Sequence, residues 1–274
     1  MANDTISEAR TNLQLDQPGV GRARLRRLDW DSDFFGDTMG VVEVEIAHRA
    51  GDRASAAASL LAEVVRGARE AGFGHVICRA DGNDWPFVHG AQRAGWLIVD
   101  VATDLVCQPL AAAIAGRTRA AAVRDASPAD LPALEEIAGS AFTYSRFAAD
   151  PFFSAEQAVS FHRTWIRNLV NGLAQSVLVY EDAGGPAGFI ASSLEGEESR
   201  IVLIAASAGQ RSRGVGAALV DAGLLWAGDA GAATAYVKTQ AANIAALRLY
   251  GRAGFLPHRC EITLSANLRG TQTE

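Results

Sequence analysis

Two stretches of this 274-residue chain hold residues whose types and spacing could do chemistry. The first is Arg211-Ser212-Arg213-Gly214-Val215-Gly216. Glycine has no Cβ, so Gly214 and Gly216 can take left-handed backbone angles and let a ligand come close. A helix starting here leaves its first N–H groups without internal partners, pointing back at the loop with the positive end of the helix dipole. Those donors, with Arg211 and Arg213, make a site for a diphosphate. The second stretch is Tyr144-Ser145-Arg146-Phe147. A ring to stack on, a hydroxyl and a guanidinium fork suit a polar acceptor that carries phosphate. The same residues read equally well as a loop pinned to a core by its aromatics, with Arg146 on a carboxylate such as Asp150.

The elements that must position these groups are legible around them. Ile201-Val-Leu-Ile-Ala-Ala-Ser207 is an apolar run expected to be a buried strand. Ala217 to Trp226 has helical spacing, and Thr234 to Thr239 reads as a second strand. On a helix beginning at Asn243, positions 243, 247 and 250 share one face, so Asn243 and Tyr250 can approach one ligand, and Ala246 keeps that face low. The glycine spacing is too short for a dinucleotide fingerprint, and the Lys-Ser/Thr of a nucleotide-triphosphate loop is missing.

Upstream, Ser127-Pro128-Ala129-Asp130 is a helix start, followed by an apolar stripe of Leu131, Leu134 and Ile137. Ala155 to Val170 is helical, and Ser176–Tyr180 with Gly188–Ser192 forms a hairpin. Residues 109–121 are of low complexity and read as a linker, which places a boundary near 118 and gives domains 1–118 and 119–274.

In the first half, residues 1 to about 23 read as an irregular lead-in. Leu28 to Gly36 reads as a capped turn whose Trp30, Phe34 and Phe35 anchor a small core. Asp29, Asp31 and Asp33 alternate like a calcium loop but lack its glycine and distal glutamate, so no metal is expected. Strand patterns follow at Val41–Ile46 and His75–Cys78, with a helix from Ala54 to Glu70. Ala80-Asp-Gly-Asn83 and Gln92-Arg-Ala-Gly-Trp96 parallel Gln240-Ala-Ala-Asn243 and Gly251-Arg-Ala-Gly-Phe255. The first half therefore reads as a degenerate copy of the second, with Ala91 near the place of Tyr250 and no glycine loop.

Composition sets the remaining bounds. At 49% apolar and 20% charged residues the chain is globular rather than disordered. A net charge of −6 argues against nucleic-acid or acidic-membrane partners. Cys78, Cys107 and Cys260 lack metal-ligand spacing and read as reduced thiols of a cytoplasmic protein. No apolar run reaches membrane-span length.

Strand, Arg-x-x-Gly-x-Gly, helix, second strand, then Asn243-x6-Tyr250-x3-Gly254-Phe255 resembles the acetyl-CoA site of the GNAT acyltransferases. Leu28 to Gly36, Ala141 to Phe147 and Trp165 to Asn168 resemble, within that superfamily, the N-acetyltransferases of the nucleotide-linked sugar dTDP-fucosamine. One departure is Ala208, where many GNAT members carry proline. The resemblance implies an α/β GNAT fold, a mixed and mostly antiparallel sheet flanked by helices, with a degenerate GNAT-like N-terminal domain. It implies acetyl-CoA as co-substrate, its diphosphate on residues 211–216 and its pantetheine amides on the backbone of Ile204, Ala205 and Ala206. It also implies a small-molecule amine as acceptor. Tyr250 fits as general acid to the departing thiolate, since its ordinary pKa keeps it protonated at neutral pH. Glu195, Glu197, Glu198 and His162 are candidates for the general base by type only, and none is chosen. Two other readings stay open: a GNAT enzyme for another small amine or a protein amine, and a non-catalytic acyl-CoA-binding module. A homodimer is compatible with the sequence and is not specified by it.

Overall fold

The computed structural model describes residues 12–47, 51–210 and 213–269. The chain packs as two compact units. The first takes residues 1–101, 149–152 and 260–274, and the second takes 102–148 and 153–259.

In the first unit, β1 (Asn12–Gln17) and β2 (Gly21–Arg27) form a hairpin, so the expected lead-in is ordered as strand from residue 12. The alternation of β2 is the reason: Ala23 and Leu25 are buried while Arg22, Arg24 and Arg26 face out. Helix α1 (Asp29–Phe35) replaces the expected turn. Trp30 is exposed and stacks on Phe34 at 5.6 Å, Phe34 and Phe35 are half-buried and meet edge-on at 4.8 Å, and the one fully buried residue of the helix is Ser32. Asp29 and Asp33 both bind Arg27, at 2.7 and 2.9 Å. Strand β3 (Met39–Ile46), helix α2 (Arg53–Glu70), strand β4 (His75–Asp81) and helix α3 (Trp85–Arg93) follow. Ala57, Leu60, Leu61, Val64 and Ala68 give α2 one apolar face, which packs into the core with Leu25, Val42 and Val76.

In the second unit the elements are β6 (Val123–Asp125), α5 (Leu131–Ala141), α6 (Arg146–Ala149) and α7 (Ala155–Asn168). They continue as β7 (Ser176–Asp182), β8 (Gly185–Glu195), β9 (Glu198–Ala206), α8 (Val215–Asp229), β10 (Thr234–Gln240) and α9 (Ile244–Arg252). Helix α5 starts after a capping box in which Ser127 and Asp130 bond reciprocally, as the sequence predicts. The residues read as a linker fold in this unit. Leu110–Ile114 is helix α4, and Arg117 binds Asp221 and the carbonyls of Ala113 and Ala253.

Two strands complete the sheets from the other half of the sequence. β5 (Leu97–Cys107) pairs antiparallel with β10 through residues 102–107, and β11 (Leu256–Asn267) pairs antiparallel with β4 through 261–267. The first sheet then runs β1-β2-β3-β4-β11, and the second runs β5-β10-β9-β8-β7-β6. Each is antiparallel except for one parallel pair, β3/β4 or β9/β10.

The internal repeat is closer in structure than in sequence. β4 and β10 each have seven residues and begin 159 positions apart (75 to 234). α3 and α9 each have nine residues at the same interval (85 to 244). Gly72 and Gly231, and Gly95 and Gly254, keep that interval and share positive φ. In this register the partner of Asn243 is Asp84 rather than Asn83. Each caps its helix by accepting from a backbone N–H three residues on.

Candidate functional site

The second unit holds a split between two parallel strands. The β9–β10 ladder runs from Glu198/Thr234 to Ile201/Val237 and stops. On its other edge β9 stays bonded to β8, with a register shift that passes over Val202. Such a bulge bends a strand and re-aims it. β10 continues along β5, with Lys238, Thr239 and Gln240 opposite Asp104, Thr103 and Ala102. Among the described residues the facing edges of 202–206 and 238–240 have no ladder partner in each other. Ile204, Ala205 and Ala206 therefore line a notch with backbone donors and acceptors, which must otherwise be met by water or ligand.

The strand leads into the glycine loop. Arg211 and Ser212 lie outside the described residues, and Arg213 is exposed. Gly214 caps α8 at φ 85° and ψ −4°, with no side-chain hydrogen bond to the first turn. The space where its Cβ would stand is open to 4 Å. Among the described residues no side chain caps the first N–H groups of α8, as a diphosphate site requires. Val215 is buried, so its backbone alone faces the loop. Gly216 corrects an expectation: it lies inside the helix without positive φ. Its bare Cα instead admits Leu249 of α9, whose Cδ2 lies 3.2 Å from the place of a Cβ.

Helix α9 brings Asn243, Ala246 and Tyr250 to one face, as its spacing predicts. Asn243 accepts from the Ala246 N–H at 3.2 Å, so its carbonyl oxygen already serves the helix and its amide nitrogen is left to donate. Tyr250 is 3% exposed and meets Phe255 edge-on at 5.8 Å. Burial pushes its phenol pKa up, which keeps the proton on. No hydrogen bond to another described residue holds its hydroxyl.

The turn before α6 combines both readings made of it. Phe147 is a core anchor, 4.0 Å from Phe161 and 5.1 Å from Phe153 by ring centroids. The Arg146 guanidinium lies 4.2 Å over the Phe147 ring. Asp150 is held elsewhere, by His75 at 2.8 Å and by the Phe152 N–H. Tyr144, by contrast, is 52% exposed and its ring is open to stacking. Ser145 Oγ is buried and makes no hydrogen bond among the described residues. An unpartnered buried hydroxyl costs about 1–3 kcal/mol, so its persistence in a turn calls for an explanation, and a ligand would supply one.

Glu195, Glu197 and Glu198 stand at the β8–β9 turn, at the opposite end of β9 from the glycine loop. β9 starts at Glu198, three residues before the ladder ends at Ile201, so strand length alone does not part these glutamates from the notch. His162 lies on α7, its ring parallel to Phe142 at 4.6 Å. Neither the bulge at Val202 nor the end of the ladder had a local signal in the sequence; only the family resemblance implied available backbone at Ile204–Ala206. No cluster of metal-ligating side chains and no helix long and apolar enough to cross a membrane occurs among the described residues.

Residues 133–255 match the Acetyltransferase (GNAT) family. The chain is 28% identical over 236 residues to dTDP-fucosamine acetyltransferase of Escherichia coli O6:H1, covering 85% of this chain and 93% of that protein. It is 30% identical over 128 residues to spore coat polysaccharide biosynthesis protein SpsD of Bacillus subtilis, where it spans 44% of the relative's length and 47% of its own. Its fold is similar to that of a GCN5-related N-acetyltransferase from Sphaerobacter thermophilus, with a TM-score of 0.60 at 14% identity over 93% of this chain and 82% of that one.

Proposed function

Starting from residues 133–255 as a domain of the GNAT acetyltransferase family, we propose that the chain moves an acetyl group from acetyl-CoA to the amine of a nucleotide-linked amino sugar. The observation that carries the reading is the end of the β9–β10 ladder at Ile201/Val237, with a helix start at Gly214 that no side chain of the described residues caps. The notch fits a thioester carrier: the uncapped N–H groups of α8 and the loop arginines take its diphosphate, and the strand edge at Ile204–Ala206 takes its amides. Holding the thioester so oriented supplies a large part of the rate. A backbone N–H at the same edge stabilises the developing oxyanion. The amine attacks the carbonyl carbon directly, and Tyr250 protonates the departing thiolate.

The acceptor class is read from two supports. The relative that aligns over most of the chain is named for dTDP-fucosamine. The Tyr144–Phe147 turn offers an exposed ring, an unpartnered hydroxyl and a guanidinium, which suit a base, a sugar and a phosphate.

We assign catalysis to the second half and a supporting role to the first. The first unit repeats the split strands, its β3–β4 ladder running from Met39/His75 to Val42/Cys78. Its helix start, however, is filled by its own carboxylate: Asp52 accepts from the Ala54 N–H at 3.0 Å. A second carboxylate, Asp84, stands where Asn243 does, and Ala91 stands 159 positions before Tyr250. Two acids at a would-be phosphate site repel the ligand.

The test is calorimetry with acetyl-CoA, followed by thiol release across a panel of amines that includes dTDP-fucosamine, an aminoglycoside, a polyamine and a lysine peptide. One acetyl-CoA per chain and turnover with the sugar nucleotide support the proposal. Turnover confined to another amine overturns the acceptor, and binding without any turnover overturns the enzyme.

A further inference from the structure

We propose that His162 is the proton acceptor of the reaction, taking from the amine nitrogen the proton it sheds as the amide forms. The proposal rests on the Tyr144–Phe147 turn being the acceptor site.

His162 is fixed in one tautomer. Its Nδ1 lies 2.7 Å from the carbonyl oxygen of Ala158, one turn back on α7, so Nδ1 carries the hydrogen and donates it. Nε2 is then the lone-pair nitrogen, and no hydrogen bond from a described residue occupies it. The ring sits at the foot of the acceptor turn. Phe142, at the end of α5, stacks on its face at 4.6 Å and 15°, and the residue as a whole is 4% exposed. Phe147 meets it edge-on at 6.2 Å, and Phe161 and Trp165 of its own helix close the remaining sides.

These neighbours are aromatic. The charged groups on the elements packed against it are Glu135 and Glu136 on α5, Arg146 on the turn, and Glu156, Arg163 and Arg167 on α7, with Arg167 bound to Glu135. Burial pushes the imidazole pKa below its ordinary value, opposed in part by the Ala158 carbonyl, so the ring is neutral at neutral pH. Asp150, three residues after the turn, is bound to His75.

The chemistry balances. The nitrogen lone pair forms the C–N bond at the thioester carbonyl, and nitrogen becomes cationic and strongly acidic. His162 Nε2 takes that proton, directly or across one water. The C–S bond breaks, and the thiolate takes the Tyr250 proton. The imidazolium and the phenolate return to neutral by proton exchange with solvent. A weak base suffices, since the proton is taken from nitrogen already bonded to the carbonyl carbon.

The test uses the full chain with acetyl-CoA and dTDP-fucosamine. His162→Phe keeps an aromatic ring in the cluster, and His162→Gln keeps a polar side chain should the first fail to fold. The expected result is a kcat loss of about 100-fold or more, with the acetyl-CoA Kd and the acceptor KM within about threefold. The wild-type pH profile of kcat/KM should have an acid limb that the variant lacks. A kcat within about threefold of wild type with that limb retained overturns the proposal. So does a raised acceptor KM at unchanged kcat, which makes His162 a support of the turn alone. Arg146→Ala keeps the two failures apart: if it leaves the acceptor KM unmoved, the acceptor site itself is misplaced, whatever the His162 variants do.

Discussion

Arg53 grips Asp84 through two nitrogens, Nε lying 2.9 Å from Oδ1, and ties the first residue of α2 to the cap of α3. The pair sits at the mouth of the first unit's strand split, where the second unit has the glycine loop and Asn243. We expect Asp84→Ala to cost about 1 kcal/mol, chiefly through the lost helix cap, since half-exposed ion pairs contribute little. Thermal unfolding reads that loss, while calorimetry should return an unchanged acetyl-CoA affinity. A weakened affinity would place the ligand at the first unit.

Gly214 holds φ at 85° beneath a helix start. A side chain there is strained in the left-handed region by about 1–2 kcal/mol and intrudes on the loop. Gly214→Val should lower both the melting temperature and the acetyl-CoA affinity. An unaltered Kd would show that this bend does not meet the phosphates.

Ser145 offers a separation of folding from function. Its hydroxyl is buried without a partner among the described residues, so Ser145→Ala should leave stability unchanged or slightly raised. The acceptor KM should rise about tenfold, the equivalent of one hydrogen bond of ~1.4 kcal/mol. A destabilised variant with normal kinetics would make the hydroxyl structural.

Asp130 gives the fold a pH dependence of known sign. Arg124 binds it through two nitrogens at 2.8 Å each, and the Ser127 N–H and hydroxyl add to that, so its carboxyl is held well below the usual carboxylate range. A depressed folded pKa gives stability that is complete above about pH 4 and is lost as pH falls through the folded value. Asp130→Asn should therefore lower stability at pH 7 by about 1.5–3 kcal/mol and flatten the acid limb of unfolding. An unchanged acid limb would remove this pair as its source.

What the sequence disclosed follows from how local each signal is. The helix cap at Ser127, the apolar face of α8 and the shared face of Asn243 and Tyr250 depend on residues within two turns of each other, and all were legible. Gly216 was misread because a glycine freed for a turn and a glycine cleared for a neighbouring helix look alike in sequence. Its reason lies in Leu249, more than thirty positions on. The first unit solves the same helix contact in reverse, with Gly90 on α3 against Ala57 on α2. Trp30, Phe34 and Phe35 were assigned to a core by type, whereas the helix they form presents Trp30 outward. The exchange of β5 and β11 had no local signal at all, because strand pairing is decided by partners far away in the chain.

The account stands most directly on Tyr250, a buried phenol of α9 with no hydrogen-bond partner among the described residues. Tyr250→Phe keeps the ring and its contact with Phe255. Steady-state turnover measured beside acetyl-CoA affinity should therefore show kcat reduced by about 100-fold or more with Kd unchanged. Turnover equal to that of the unmodified protein, at the same affinity, would contradict it.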